Sequence, residues 1–139
     1  MNKGETVDRF YYIDNCLKPV VKAIKKQRPK IGLKNMKLLH DNARAHDNQD
    51  VLYYLNEERF NLLPHPPYSP DLSPCDFWFN DYIKRNLGDQ NDEKSLLKAV
   101  TKIVNEIPKE EYRKTFEKLI DRMELCIKNK GEYLEHSIE

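Results

Sequence analysis

Two aspartates, Asp41 and Asp76, combine a useful residue type with a setting that could put it to chemical use. Asp41 lies in Leu38-Leu39-His40-Asp41-Asn42-Ala43-Arg44-Ala45-His46, and Asp76 closes Tyr68-Ser69-Pro70-Asp71-Leu72-Ser73-Pro74-Cys75-Asp76; thirty-four residues separate them. Hard divalent cations such as Mg²⁺ take oxygen ligands, commonly one or two carboxylates completed by water and substrate phosphate. In two-metal phosphoryl transfer the ions sit about 3.5–4 Å apart, one activating the attacking oxygen and the other stabilising the leaving oxygen. Such a site usually needs at least three carboxylates.

Each acid also has a purely structural reading. Asp76 falls at the N3 position of a helix start and could stabilise that terminus as a capping-box acid. Asp41 could form an Asp-Asn turn after a strand. His40 and His46 flank Asp41, and His65 follows in a proline-rich stretch. A His/Asp transition-metal site is therefore weighed, but the histidines lack helical HxxxH spacing, and His65 reads better as a loop residue near backbone or phosphate. Arg44 and Lys84-Arg85 are candidate phosphate contacts, with an ordinary solvated surface as the alternative. Phe77, Trp78, Phe79 and Tyr82 could stack on bases, yet a helix that starts beside such a loop needs an anchoring apolar face, which favours core packing. The chain has no Gly-rich phosphate loop, nucleophile elbow or HExxH motif.

These side chains need elements to aim them. Phe10, Ile13, Leu17, Val21 and Ile24 recur at helical spacing over Val7 to Ile24, with Thr6 as N-cap and Pro19 expected to kink or divide the helix. Its polar face holds Lys18, Lys22, Lys25 and Lys26. After a linker at Arg28-Pro29-Lys30-Ile31-Gly32, Met36 to His40 reads as a short buried strand. Asp41 is then at a strand's carboxyl end, where open α/β sheets place ligand-binding groups. A second helix is expected over residues 46–59 and a short strand at Asn61-Leu62-Leu63.

Five prolines between Pro64 and Pro74 predict a stiff loop that can be neither central strand nor helix. Ser73-Pro74-Cys75-Asp76 has the signature of a helix start, with Ser at N-cap and Pro at N1, and Gly88 is expected to end that helix. Two further helices follow, one with a stripe of Leu96, Leu97, Val100, Ile103 and Val104. The other starts at Pro108, carries Tyr112, Phe116, Leu119, Ile120, Met123 and Ile127, and stops at Gly131. This order predicts an α/β layer (residues 1–88) with a helical C-terminal cover (residues 89–139).

At 139 residues the chain fits one domain or a piece of a larger one. No apolar stretch approaches the roughly 18 residues of a membrane span, so no membrane partner is expected. Met1 to Thr6 lacks the apolar core of a signal peptide, making an intracellular location the default. Cys16, Cys75 and Cys126 are odd in number and lack CxxC spacing, against a disulfide framework or zinc knuckle. The net charge of +1 is unevenly distributed: residues 1–39 hold ten Lys/Arg against three Asp/Glu, and residues 40–83 hold two against eight. A basic first third beside an acidic middle fits a polyanion-contacting surface next to a metal-binding pocket, with ordinary solvated helix faces as the alternative.

Taken together, His40 to His46, Leu63-Pro64-His65-Pro66-Pro67-Tyr68-Ser69-Pro70-Asp71-Leu72-Ser73-Pro74 and Cys75-Asp76-Phe77-Trp78-Phe79 resemble the mariner branch of the Tc1/mariner transposases. The thirty-four-residue interval is similar to that family's second-to-third acid spacing, and Asp at the third place points to mariner. Cys126-Ile127 and Gly131-Glu132-Tyr133-Leu134-Glu135 resemble the family's C-terminus, while Ala45 stands where the family often has Pro. The resemblance implies a ribonuclease-H-like catalytic core, incomplete here and lacking its first strands, in which Asp41 and Asp76 are two of three ligands for Mg²⁺ or Mn²⁺. It implies DNA as partner, both transposon ends and target; it admits a homodimer and places the activity in the nucleus. Asn42, Arg44, His46, His65, Tyr68, Lys84 and Arg85 become the candidate nucleic-acid contacts. The family's first acid belongs on a strand upstream of Gly4-Glu5-Thr6-Val7, so residues 1–139 are expected to lack it, along with the helix-turn-helix domains. Asp8 and Asp14 fall in the first helix and cannot replace it. Little or no strand transfer is therefore expected of this chain alone. A non-catalytic nucleic-acid- or partner-binding remnant is the alternative.

Overall fold

Pro19 does not break the first helix. Residues 9–27 form one helical run, α1, built from an α-helical turn Arg9–Tyr11, a π-helical stretch Tyr12–Leu17 and an α-helix Lys18–Gln27. The Lys18 N–H reaches back five residues to the Ile13 carbonyl. Pro19 lies at the start of the next segment, so the wider π turn accommodates a residue that has no N–H and would clash with a tight preceding turn. The N-cap is Asp8, not Thr6: the Asp8 carboxylate accepts from the Tyr11 N–H at 2.7 Å. Aspartate caps well because its short side chain folds back onto the first free N–H groups.

The computed structural model describes residues 6–131, which form two units dividing between Pro67 and Tyr68. The C-terminal motif at residues 132–135 lies outside the described residues.

The first unit continues with β1 (Lys37–Leu39), α2 (Gln49–Glu57) and β2 (Asn61–Leu63). β1 and β2 are parallel, with Lys37 opposite Asn61, Leu38 opposite Leu62 and Leu39 opposite Leu63. Parallel neighbours need a crossover, and α2 supplies it. α2 starts later than the expected residue 46, because Asn48 caps it by accepting from the Asp50 N–H. Leu17 of α1 packs with Val51 and Leu55 of α2, and Tyr12, Ile13, Leu38, Tyr54, Phe60 and Leu62 close around them. Phe10 departs from the expected apolar stripe: it is exposed, with the Arg9 guanidinium 4.5 Å from its ring centre.

α2 ends in a Schellman motif. The Phe60 N–H bonds the Leu55 carbonyl at 2.9 Å and the Arg59 N–H bonds the Asn56 carbonyl at 2.9 Å. This requires a left-handed residue after the cap, and Arg59 adopts φ 59° there.

In the second unit a 3₁₀ turn (Pro70–Leu72) lies inside the proline loop, so that stretch is helical for one turn. Proline's fixed φ suits a turn's first residue even though it prohibits longer helix. α3 spans residues 75–86 as a π-helical stretch Cys75–Phe79 followed by Asn80–Asn86. α4 is Glu93–Glu106 and α5 is Lys109–Lys128. Leu87 closes α3 in an extended conformation, and Gly88 has no positive φ, so it is not the left-handed cap that the sequence suggested. At the other end, α5 finishes at Lys128, before the expected stop at Gly131: Lys130 takes the left-handed φ of 56°, its N–H bonds the Ile127 carbonyl at 3.1 Å and the Gly131 N–H bonds the Cys126 carbonyl at 2.9 Å.

Leu72, Ile107, Thr115 and Leu119 are buried. Trp78 packs edge-on against Tyr112 with ring centres 5.4 Å apart and also meets Phe79 and Tyr82, so these aromatics pack against one another. The apolar stripes of α4 and α5 are only partly used. Leu96, Leu97, Phe116, Ile120 and Ile127 are exposed, because helical periodicity marks an apolar face without specifying that an element covers it.

Candidate metal centre and nucleic-acid contacts

Asp41 lies two residues past the end of β1 at Leu39, with His40 between them, and so stands at the sheet's carboxyl edge. Its Oδ1 accepts from the Ala43 N–H at 3.1 Å and from His46 Nδ1 at 2.6 Å. The Asp-Asn turn and the carboxylate's orientation are thus one arrangement: the turn that brings Ala43 back also brings His46. Burial pushes the Asp41 carboxyl up, but the Ala43 and His46 hydrogen bonds outweigh it and hold the group below the ordinary carboxylate range. Asp41 is ionised at neutral pH, and His46 Nδ1 must carry the shared proton because a carboxylate only accepts.

Aromatic rings back this pair. His40 and His46 stack with ring centres 5.1 Å apart and planes 6° from parallel. Tyr12 lies 4.2 Å from the His46 ring, and its hydroxyl meets His40 Nδ1 at 3.3 Å. Burial lowers the His40 pKa, and neighbouring His46 adds to that; the negative charges of Asp41 and Asp47 only partly oppose it. His40 is therefore neutral at pH 7.

Asn42 ties the turn down: its Nδ2 donates to the His65 carbonyl at 2.9 Å. Asp41, Asn42, His46 and His65 thus come together, around a small pocket of about 70 Å³ also lined by His40 and Asp47. Arg44 is exposed at the tip of the 44–46 turn and has no ion pair among the described residues.

The remaining candidates lie in the second unit. Asp76 is exposed in the first turn of α3, with Oδ1 3.5 Å from Asn80 Nδ2. The Ser73 carbonyl accepts from the Asp76 and Phe77 N–H groups, but among the described residues the Asp76 carboxylate makes no return bond to Ser73. The capping-box role is therefore not formed, and the carboxylate faces solvent. Tyr68 is 98% exposed and takes a left-handed φ of 54°, a conformation that costs a bulky residue roughly 1–2 kcal/mol. Lys84 and Arg85 close α3; Arg85 pairs with Asp81 one turn back, while Lys84 has no ion pair among the described residues.

A hard divalent ion fits these donors. Mg²⁺ binds through one or two carboxylates and keeps several waters, and Asp41 offers an ionised carboxylate whose hydrogen bonds all fall on Oδ1. No group of three or more His, Cys, Asp or Glu that could hold a metal ion converges among the described residues. Residue spacing did not reveal Tyr12, which reaches His40 from twenty-eight positions away. Nor did it reveal the Asn42–His65 link.

No family model matches the chain. Among curated proteins it is similar to the human histone-lysine N-methyltransferase SETMAR, 31% identical over 97% of this chain and 20% of that protein. It is also 30% identical to the Mariner Mos1 transposase of Drosophila mauritiana over 97% of this chain and 40% of that protein. The chain thus spans well under half the length of either relative. Among solved structures, the Mos1 transposase catalytic domain with Raltegravir and Mg superposes with a TM-score of 0.83 at 30% identity, covering 95% of this chain and 67% of that one. The Mos1 mariner paired-end complex with Mn superposes at 0.84 and 30% identity, covering 95% of this chain and 39% of that one. The chain belongs to the mariner branch of the Tc1/mariner transposases and spans part of their ribonuclease-H-like catalytic domain.

Proposed function

We propose that the chain serves in metal-dependent cleavage of DNA at transposon ends and joining of those ends to target DNA, with Asp41 and Asp76 as two of the carboxylates that hold Mg²⁺ or Mn²⁺. The observation that carries this reading is Asp41 itself, an ionised carboxylate at a parallel strand's carboxyl end, oriented by His46 and the Ala43 N–H. The solved Mos1 structures with Mg and with Mn, and the paired-end assembly, support it. When bound, such an ion activates water and stabilises the leaving oxygen. The chain's own residues hold and orient: His46 fixes Asp41, and Asn42 anchors the turn to the backbone of His65. Arg44, Lys84 and Arg85 offer cations to phosphates, and the exposed Tyr68 ring offers a stacking face. In this reading the protein acts in the nucleus as a homodimer that holds two DNA ends.

In this reading residues 1–139 bind both the metal and DNA. Mn²⁺ binding measured by paramagnetic broadening tests the site. Asp41→Asn and Asp76→Asn should each weaken it by roughly tenfold or more, at least the loss typical of partners one layer further out. Equal binding by wild type and both variants would overturn the reading. Metal-dependent nicking of labelled transposon-end DNA that Asp41→Ala abolishes would support the cleavage role directly.

A non-catalytic nucleic-acid-binding role is favoured by one observation. Lys22 and Lys26 are exposed on α1 and have no acidic partner among the described residues. DNA binding that persists in Asp41→Asn with chelator present, and weakens steeply with salt, would support that role.

A further inference from the structure

We infer that Tyr12 is a positioning residue for the Asp41 carboxylate, acting through the imidazoles of His40 and His46. The inference rests on reading Asp41 as a metal-binding carboxylate. Tyr12 is the first residue of the π-helical stretch in α1, and single π turns recur at functional sites because they re-aim one side chain within a continuous helix. Its ring packs against the Leu17, Val51 and Leu55 core and lies 4.2 Å from the His46 ring. Its hydroxyl meets His40 Nδ1 at 3.3 Å, and His40 stacks on His46. The three rings thus form one mutual cluster, in which His46 meets both Tyr12 and His40, while its Nδ1 donates to Asp41 Oδ1 at 2.6 Å.

A continuous set of contacts therefore runs from the hydrophobic core to the carboxylate. A lone imidazole at the surface rotates about χ1 and χ2 and holds a carboxylate only part of the time. An imidazole packed into a cluster with a core-anchored phenol and a second imidazole keeps one orientation, and the carboxylate it bonds is held before metal arrives. Partners one layer beyond a metal ligand commonly change affinity in this way. Pro19 belongs to the same account, since the π turn that accommodates it begins at Tyr12.

The test uses the full chain with ¹⁵N-labelled histidine, first without metal. In wild type and Tyr12→Phe, His46 should show one dominant form protonated at Nδ1. In Tyr12→Leu its signals should move toward the mixed tautomers of a free imidazole, with the amides of Val51 and Leu55 still protected. Mn²⁺ titration should then show affinity lowered roughly tenfold by His46→Ala and by a smaller factor, about threefold, by Tyr12→Leu. Unchanged His46 signals and unchanged Mn²⁺ affinity in a folded Tyr12→Leu variant would overturn the proposal. Should Tyr12→Leu lose protection at Val51 and Leu55, Tyr12→Phe decides: its His40 signals must shift, and their staying at wild-type positions would overturn the linkage. If Asp41→Asn leaves Mn²⁺ affinity untouched, the metal reading of Asp41 falls, while the metal-free His46 pattern still decides the role of Tyr12.

Discussion

Asp41 and its neighbours show how one turn can both shape backbone and prepare a ligand. The bond from the Ala43 N–H is what any Asp-Asn turn makes; the bond from His46 adds a directed charge-assisted contact. His40 behind it carries a consequence for pH. Its folded-state pKa lies below 6.5, so the native state favours neutral imidazole and the unfolded chain takes up the proton first. Stability from this group is complete above about pH 6.5 and is lost as pH falls from there toward the folded pKa. Urea melts of metal-free protein should show stability declining across that window, and His40→Gln should flatten the decline. Arg59 gives a second residue-scale prediction. Its left-handed φ of 59° is one that glycine adopts without a Cβ clash, so Arg59→Gly should raise unfolding free energy by about 0.5–1 kcal/mol, read as a higher urea midpoint.

The elements owe their limits to caps more than to propensity. α4 begins at a capping box in which the Asp92 carboxylate accepts from the Ser95 N–H at 2.8 Å and the Ser95 hydroxyl faces the Asp92 backbone. Asp92→Ala should cost about 1 kcal/mol, measured by thermal melting. The βαβ arrangement of β1, α2 and β2 depends on the apolar face of α2. Leu55 is nearly inaccessible and touches the α1 face that also carries Tyr12. Leu55→Ala should therefore destabilise by about 2–5 kcal/mol, and loss of native circular dichroism together with the His46–Asp41 proton signal would show that core and site fail together. The two π stretches, Tyr12–Leu17 and Cys75–Phe79, lie beside the Asp41 group and around Asp76 respectively. No local preference reveals them, because each depends on a register shift of one carbonyl.

At the scale of the whole molecule, the chain carries unneutralised cations on its first helix and at the end of α3, against a net charge of only +1. DNA affinity should accordingly fall along a straight line in log salt, with a slope set by the number of phosphates neutralised. Lys22→Ala with Lys26→Ala should flatten that slope if α1 faces DNA, and Lys84→Ala should do so if α3 does. Filter binding across a salt series separates the two. Unaltered slopes in every variant would place the DNA contact elsewhere.

The sequence by itself determined the order of helices and strands, the strand-end setting of Asp41, the helix-start setting of Asp76 and the transposase family. Those depend on local periodicity, on proline and cap chemistry, and on motifs long enough to be specific. Only the tertiary structure decided that His46 belongs to Asp41 and that Asn42 anchors the turn to His65. It also brought Tyr12 to the imidazole pair and left Phe116, Ile120 and Ile127 exposed. The reason is physical: a contact between residues twenty-eight positions apart is set by how a π turn, a strand end and a buried leucine face pack together, and none of those distances is encoded in residue spacing along the chain.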